Sequence, residues 1–284
     1  MTIAAGFHCA DGVVLCADTQ QTIPDYLKTN VSKFLAMTND IGGYRLILTG
    51  AGGENMIEMV WQSIMDRLLA DRSNGDYGFI EQSIREVVCE TAIQHVIPFP
   101  EEERPWFQLL IGVQMKSGGV ALLKTENTTV SRVSGYTCVR SVAFAHHALG
   151  DFNCRRYGVC VVRPMAIQML ARVKDHDPNC GKKSEMAILY DDWTYHAPTE
   201  KYLATLDAHV RTIDRCATVV MRQGMMHRAP KNAVNECLGH LRKHIGLLQK
   251  FEMESCDDKC RLKPEHLVKE HMVWVEEGKS VGQP

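Results

Sequence analysis

The hydrophobic period changes at Gly52-Gly53, and that change separates runs of strand from runs of helix. Before it, Ile3 to Cys9, a turn at Ala10-Asp11-Gly12, and Val13 to Ala17 read as a hairpin. After a polar loop with Pro24, Val31 to Met37 and Tyr44 to Thr49 repeat the pattern around Asn39-Asp40-Ile41-Gly42-Gly43. Beyond the change, Met56, Val60, Ile64 and Leu68 fall at helical spacing, as do Ile80, Ile84, Val87, Val88 and Ala92. Ile97-Pro98-Phe99-Pro100 and Pro105 stop the helical run, because proline lacks an amide donor and clashes with the preceding turn. Strands are then expected at Leu109 to Met115, Val120 to Leu123, Thr129 to Val133 and Ser141 to Ala145. A helix over Pro164 to Val173 and a strand over Met186 to Tyr190 follow. Runs segregated in this order predict an α+β fold of stacked sheets covered by helices, not an alternating βαβ fold.

After about Tyr195 the strand pattern gives way to two apolar seams. Leu203, Leu206, Val210, Ile213, Ala217 and Val220 recur at three and four residues, as do Val234, Leu238, Leu241, Ile245 and Leu248, with a break near Ala229-Pro230. The chain thus divides into a domain over 2–195 and a helical C-terminal extension over 196–284. The seams either pack on the domain's own helices or meet another subunit, and their pattern leaves both open.

Charge narrows the partners. Lys and Arg total 32 against 34 Asp and Glu, a net charge of -2 over 284 residues, so no field draws the chain toward nucleic acid or an anionic membrane. No apolar run reaches the ~18 residues of a membrane helix, and no basic-then-apolar leader opens the chain, which points to the cytoplasm. Eleven cysteines, spread through predicted strands and helices, read as reduced thiols. Dinucleotide and phosphate-loop motifs are absent, and no cofactor is expected.

Position two carries the chemistry. Removal of Met1 would leave Thr2 with a hydroxyl and a free α-amino group on one residue, a nucleophile beside a base. An α-amino group titrates at about 7.7 to 8.0, so near neutrality a useful fraction is able to take the hydroxyl proton. A Thr after Met is common, and alone it means little.

More than this dipeptide is present. The opening MTIAAGFHCADGVVLCAD, then KTNVSK, then TGAGG, is similar to the proteasome β-subunit family, and in motif to the bacterial ATP-dependent proteasome-like peptidase subunit. The resemblance covers roughly residues 2 to 190, with one residue missing between Asp18 and Lys33 and no counterpart for the tail. It implies a four-layer αββα sandwich, the fold of N-terminal nucleophile hydrolases. It also implies hydrolysis of peptides or unfolded proteins in a self-compartmentalising homo-oligomer, with an ATPase as a possible partner. Thr2 falls on the family's nucleophile, Asp18 on its first carboxylate, Lys33 on its lysine and Gly52 on the oxyanion-hole glycine. Further on, HDPNCG places Asp177 on the second carboxylate and Cys180 on a small hydroxyl residue near the amino terminus.

The physical roles agree with that assignment. Lys33 would stabilise alkoxide charge and push the neighbouring ammonium toward its basic form, Asp18 would hold Lys33, and the Gly52 amide would face the acyl oxygen. Two departures stand out. The family's Gly-Ser-Gly before its third helix aligns with Ala148-Leu149-Gly150, so Leu149 stands where a hydroxyl is expected, and Cys180 replaces a serine. Leu149 keeps an inactive proteasome-like scaffold as an alternative, and a small-amide hydrolase of the same superfamily is the rival among enzymes. Elsewhere, His240 and His244 with Cys256 and Cys260 have a loose zinc-like spacing, for which solvated histidines and reduced thiols are the commoner explanation. His146-His147 is expected to end a strand in a structural role.

Overall fold

The computed structural model describes residues 3–23, 27–70, 76–150, 152–225 and 231–255. Among them are strands β1 (Ala4–His8), β2 (Gly12–Asp18), β3 (Gln20–Ile23), β4 (Leu27–Asn30), β5 (Leu35–Asn39) and β6 (Tyr44–Gly52). Helices α1 (Glu54–Ala70) and α2 (Tyr77–His95) follow, then β7 (Phe107–Met115), β8 (Val120–Glu126), β9 (Thr129–Arg132) and β10 (Tyr136–Val139). Helices α3 (Val142–Leu149) and α4 (Val159–His176), strands β11 (Ser184–Tyr190) and β12 (Tyr195–His196), and helices α5 (Glu200–Met225) and α6 (Lys231–Ser255) complete the order.

The strands form two antiparallel five-stranded sheets, ordered β10-β1-β2-β11-β12 and β5-β6-β7-β8-β9, with β3-β4 a separate ribbon. The sheets face each other across Ala4, Val13, Leu15, Ala17, Ile47, Ala51, Leu110, Leu122, Val139, Ala187 and Leu189. Alternate residues of the same strands point outward. Val14 and Cys16 of β2 pack under α3, α4 and α5, and Leu46 and Leu48 of β6 pack under α1 and α2. Burial on both faces is why β2 and β6 read as continuous apolar runs. Gly112 marks the close approach of the sheets: a Cβ there would sit 2.9 Å from Leu189 Cδ1.

Local chemistry sets the helix starts. Asp76 caps α2 by accepting from the Phe79 amide, and Asp11, in the β1–β2 turn, accepts from Val159 N at 2.8 Å to begin α4. Helix α4 therefore starts five residues before Pro164, and the proline sits inside it.

Three expectations are corrected. Residues 31–34 are not strand: the pairing runs through the β3–β4 ribbon on one side and β5 on the other. The last strand of the second run is Tyr136–Val139, and Ser141 to Ala145 instead opens α3, because Arg140 and Ser141, at φ 57° and 42°, turn the chain out of the sheet. His146 and His147 therefore lie in the last turn of a helix, where His146 Nδ1 is 2.6 Å from Tyr136 Oη.

The first half of α5 packs with the chain before residue 196. Leu203, Leu206 and Val210 are buried in the same core as α4 and the β1 sheet. Helix α6 returns along α5, and its end is fastened by Glu252, which accepts from Arg163 Nη2 at 2.8 Å and from Tyr202 Oη at 2.5 Å. Past Val210 the seams are only partly covered, and Val219, Met221, Met225, Ile245 and Leu247 are exposed.

Candidate active site

The candidate residues gather where β1 begins and β2 ends. Asp18 is the last residue of β2, and its fully buried carboxylate has four described donors. Oδ1 accepts from the Ile3 amide at 3.0 Å and from Lys33 Nζ at 2.8 Å; Oδ2 accepts from Gly181 N at 3.0 Å and Gln20 N at 3.3 Å. The backbone is held reciprocally, with Asp18 N donating to Ile3 O. One carboxylate thus ties the start of the chain to the lysine and to the 177–181 turn. Backbone donors and a cation satisfy a buried anion that would otherwise be costly. Thr2 and Met1 lie outside the described residues; Thr2 is joined by one peptide bond to the amide that Asp18 holds.

Lys33 also donates to Gln20 O at 2.7 Å, and its own amide donates to Glu185 Oε2. Burial pulls its pKa below that of an ordinary lysine, opposed chiefly by the charge of Asp18 and the hydrogen bond to it. With one residue fewer before Lys33 than the resemblance calls for, the ammonium still reaches Asp18.

The second carboxylate closes α4. Asp177 Oδ1 accepts from Asn179 N and Nδ2, and its Oδ2 accepts from Ser141 Oγ at 2.5 Å. Burial raises its pKa, and the bonds from Ser141 and Asn179 outweigh that, leaving it below the usual value. Cys180 Sγ lies 3.5 Å from Ser141 Oγ, and burial pushes its thiol up to about 12, so it stays protonated.

Ser141 is the residue that sequence reasoning missed, and Leu149 is a correction. Ser141 immediately precedes the third helix and bonds the second carboxylate. Leu149 lies in that helix's last turn, buried in the core. The misplacement follows from reading α3 as a strand, which moved the position given to the family's serine eight residues down the chain, from Ser141 to Leu149. A signal was available: Ser141 is followed by an alanine- and histidine-rich helical stretch, as an N-cap would be. The hydroxyl does not cap α3, however, since Asp177 takes it.

Gly52 ends β6 at φ 142°, one residue after Ala51, which packs between the sheets with Ala4 and Ala17. A Cβ on Gly52 would sit 2.4 Å from Trp106 O, so only glycine fits. Gln21 Nε2 bonds Glu54 at the start of α1, joining this corner to the strand that follows Asp18. Asp18, Lys33, Asp177, Cys180 and Ser141 thus form one connected cluster, with Gly52 in the adjoining strand-to-helix corner. His240 and His244 lie one turn apart on α6 and take no part, while Cys256 and Cys260 lie outside the described residues. A cavity of about 310 Å³ flanks the Lys33 loop, lined in part by Thr19, Ser32, Phe34, Lys183 and Glu185. A larger one, about 820 Å³, lies among turns 40–43 and 116–119 at the far end of the second sheet, and no candidate residue lines it.

No family model and no curated protein matches the chain. Solved structures do. Anbu from Yersinia bercovieri, described as an ancestral beta-subunit, superposes with a TM-score of 0.64 at 12% identity, over 79% of this chain and 97% of its own. Anbu from Hyphomicrobium sp. strain MC1 gives 0.62 at 13% identity, over 76% and 97%. The helical assembly of the Anbu complex from Pseudomonas aeruginosa gives 0.61 at 14%, over 81% and 99%. At such identities the likeness carries the fold, a proteasome-like one, and nothing finer.

Proposed function

We propose that the chain is a threonine-type peptidase of the N-terminal nucleophile kind, its stacked sheets and covering helices being the αββα sandwich of that class. The observation that carries this reading is the Asp18 carboxylate, which holds the Ile3 amide and the Lys33 ammonium on one oxygen. Next to that amide, a released Thr2 would attack a peptide carbonyl through its hydroxyl oxygen, with its α-amine taking the hydroxyl proton. The C–N bond then breaks, the proton leaves with the amine product, and water cleaves the threonyl ester. Lys33 supplies the cation beside the forming alkoxide, and the Gly52 corner supplies a backbone donor for the oxyanion. Ser141, Asp177 and Cys180 position the amino terminus. Ser141 fills the place that made an inactive scaffold attractive when Leu149 stood there. Assembly of several copies belongs to the same reading: one structural neighbour is described as a helical assembly, and the outer parts of α5 and α6 expose apolar side chains such as Val219, Met221 and Leu247.

Hydrolysis of fluorogenic peptides tests the mechanism. Thr2→Ala should abolish turnover with the fold intact, and Lys33→Ala should lower it by at least ~100-fold, since a charge-stabilising donor of this kind contributes about that much. Full turnover by Thr2→Ala would eliminate the mechanism.

A further inference from the structure

Arg140 stands at the same site and serves none of the roles above. It follows Val139, the β10 residue paired with Ala4 at the start of β1, and precedes Ser141, which bonds Asp177. Its guanidinium lies over the Trp106 ring, 3.7 Å from Cζ to the ring centroid, and Trp106 O is the acceptor for Gly53 N in the Gly52 corner. The arginine therefore spans from the start of β1 to the proposed oxyanion side. Its Nε is buried without a hydrogen-bond partner, and among the described residues no ion pair involves it. Its backbone is also costly: Arg140 and Ser141 are consecutive non-glycine residues in the left-handed region. A strained arginine held over an indole with unspent donors is preorganised to receive an anion.

We infer that Arg140 recognises a carboxylate on the peptide bound at this site, so that the substrates are peptides acidic beside the scissile bond or ending in a free carboxylate there. The inference rests on the peptidase reading for the word substrate and on Arg140 alone for the carboxylate.

The test compares three labelled peptides of one sequence: a neutral one with Gln and an amidated end, one with Glu for Gln, and one with Gln and a free terminal carboxylate. Binding to the full chain is read by fluorescence anisotropy and cleavage in parallel. One acidic peptide should bind about tenfold or more tightly than the neutral one, the range of a charge-assisted hydrogen bond, and which of the two wins identifies the source of the carboxylate. Arg140→Gly, which suits the left-handed backbone, should fold and bind all three alike; Arg140→Lys should keep part of the preference. Equal binding by the wild type, or a preference that survives Arg140→Gly, overturns the inference. Cleavage without preference defeats it and leaves the peptidase reading standing. Preference without cleavage does the reverse.

Discussion

Asp18 shows how much one side chain organises when its four described bonds run to three separate pieces of chain. The lysine it holds was legible only through the family resemblance carried by the strand ending in Asp18 and by KTNVSK; taken alone, the two residues read as an ordinary surface ion pair. The helical stretch after Ser141 hinted at its place, but not at its bond to Asp177, which depends on two consecutive left-handed residues, and non-glycine residues give no sequence sign of that backbone. Opposite substitutions separate Ser141 from Leu149. Ser141→Ala should lower peptide turnover about 10- to 100-fold by loosening the Asp177 anchor. Leu149→Ser should leave turnover per folded molecule unchanged and cost about 2–4 kcal/mol, because it empties a core position and buries a hydroxyl. Acidity gives a second readout. The Asp177 pKa is depressed in the folded state, so its contribution to stability is present above the ordinary carboxylate value and lost as pH falls through the folded one. The gap in thermal stability between wild type and Ser141→Ala should therefore be widest near neutrality and close in strong acid. A gap that stays constant with pH would remove the Ser141–Asp177 bond as its cause.

Among the elements, the long periodic ones were readable and the short ones were not. Helices α1 and α2 and strands β2, β6 and β7 bury enough apolar surface for their period to outweigh local noise. The β3–β4 ribbon and α3 are brief and set by turns, so the α3 sequence reads as a strand although its alanines and histidines suit a helix as well. The apolar seams of the last two helices gave their existence but not their partners. The inner half of α5 belongs to the core, where Leu203, Leu206 and Val210 together contribute about 4.5–9 kcal/mol at about 1.5–3 kcal/mol per buried side chain. That is comparable to the whole stability of a domain. A chain ending at Tyr195 should accordingly unfold or aggregate in light scattering and circular dichroism, whereas one ending at Met225 keeps α5 and its three buried residues, and loses the Glu252 bonds to Arg163 and Tyr202 with the packing of Leu248 and Phe251. A well-folded chain ending at Tyr195 would show that α5 is an appendage.

At the scale of the whole molecule, the two sheets bring the start of β1, the end of β2, the corner after β6 and the turn after α4 to one edge. Ile3 is held at that edge because β1 lies between β10 and β2, paired with both, and Asp18 accepts from the Ile3 amide. This placement gives the amino terminus a chemical use only if it is free, since a peptide-bonded nitrogen at Thr2 is no base. The intact mass of the purified full-length protein decides that point. The account predicts a mass lacking Met1, with Thr2 as a free amino terminus in peptide-bond-hydrolysing material. Retained Met1 in protein that still cleaves peptides would contradict it.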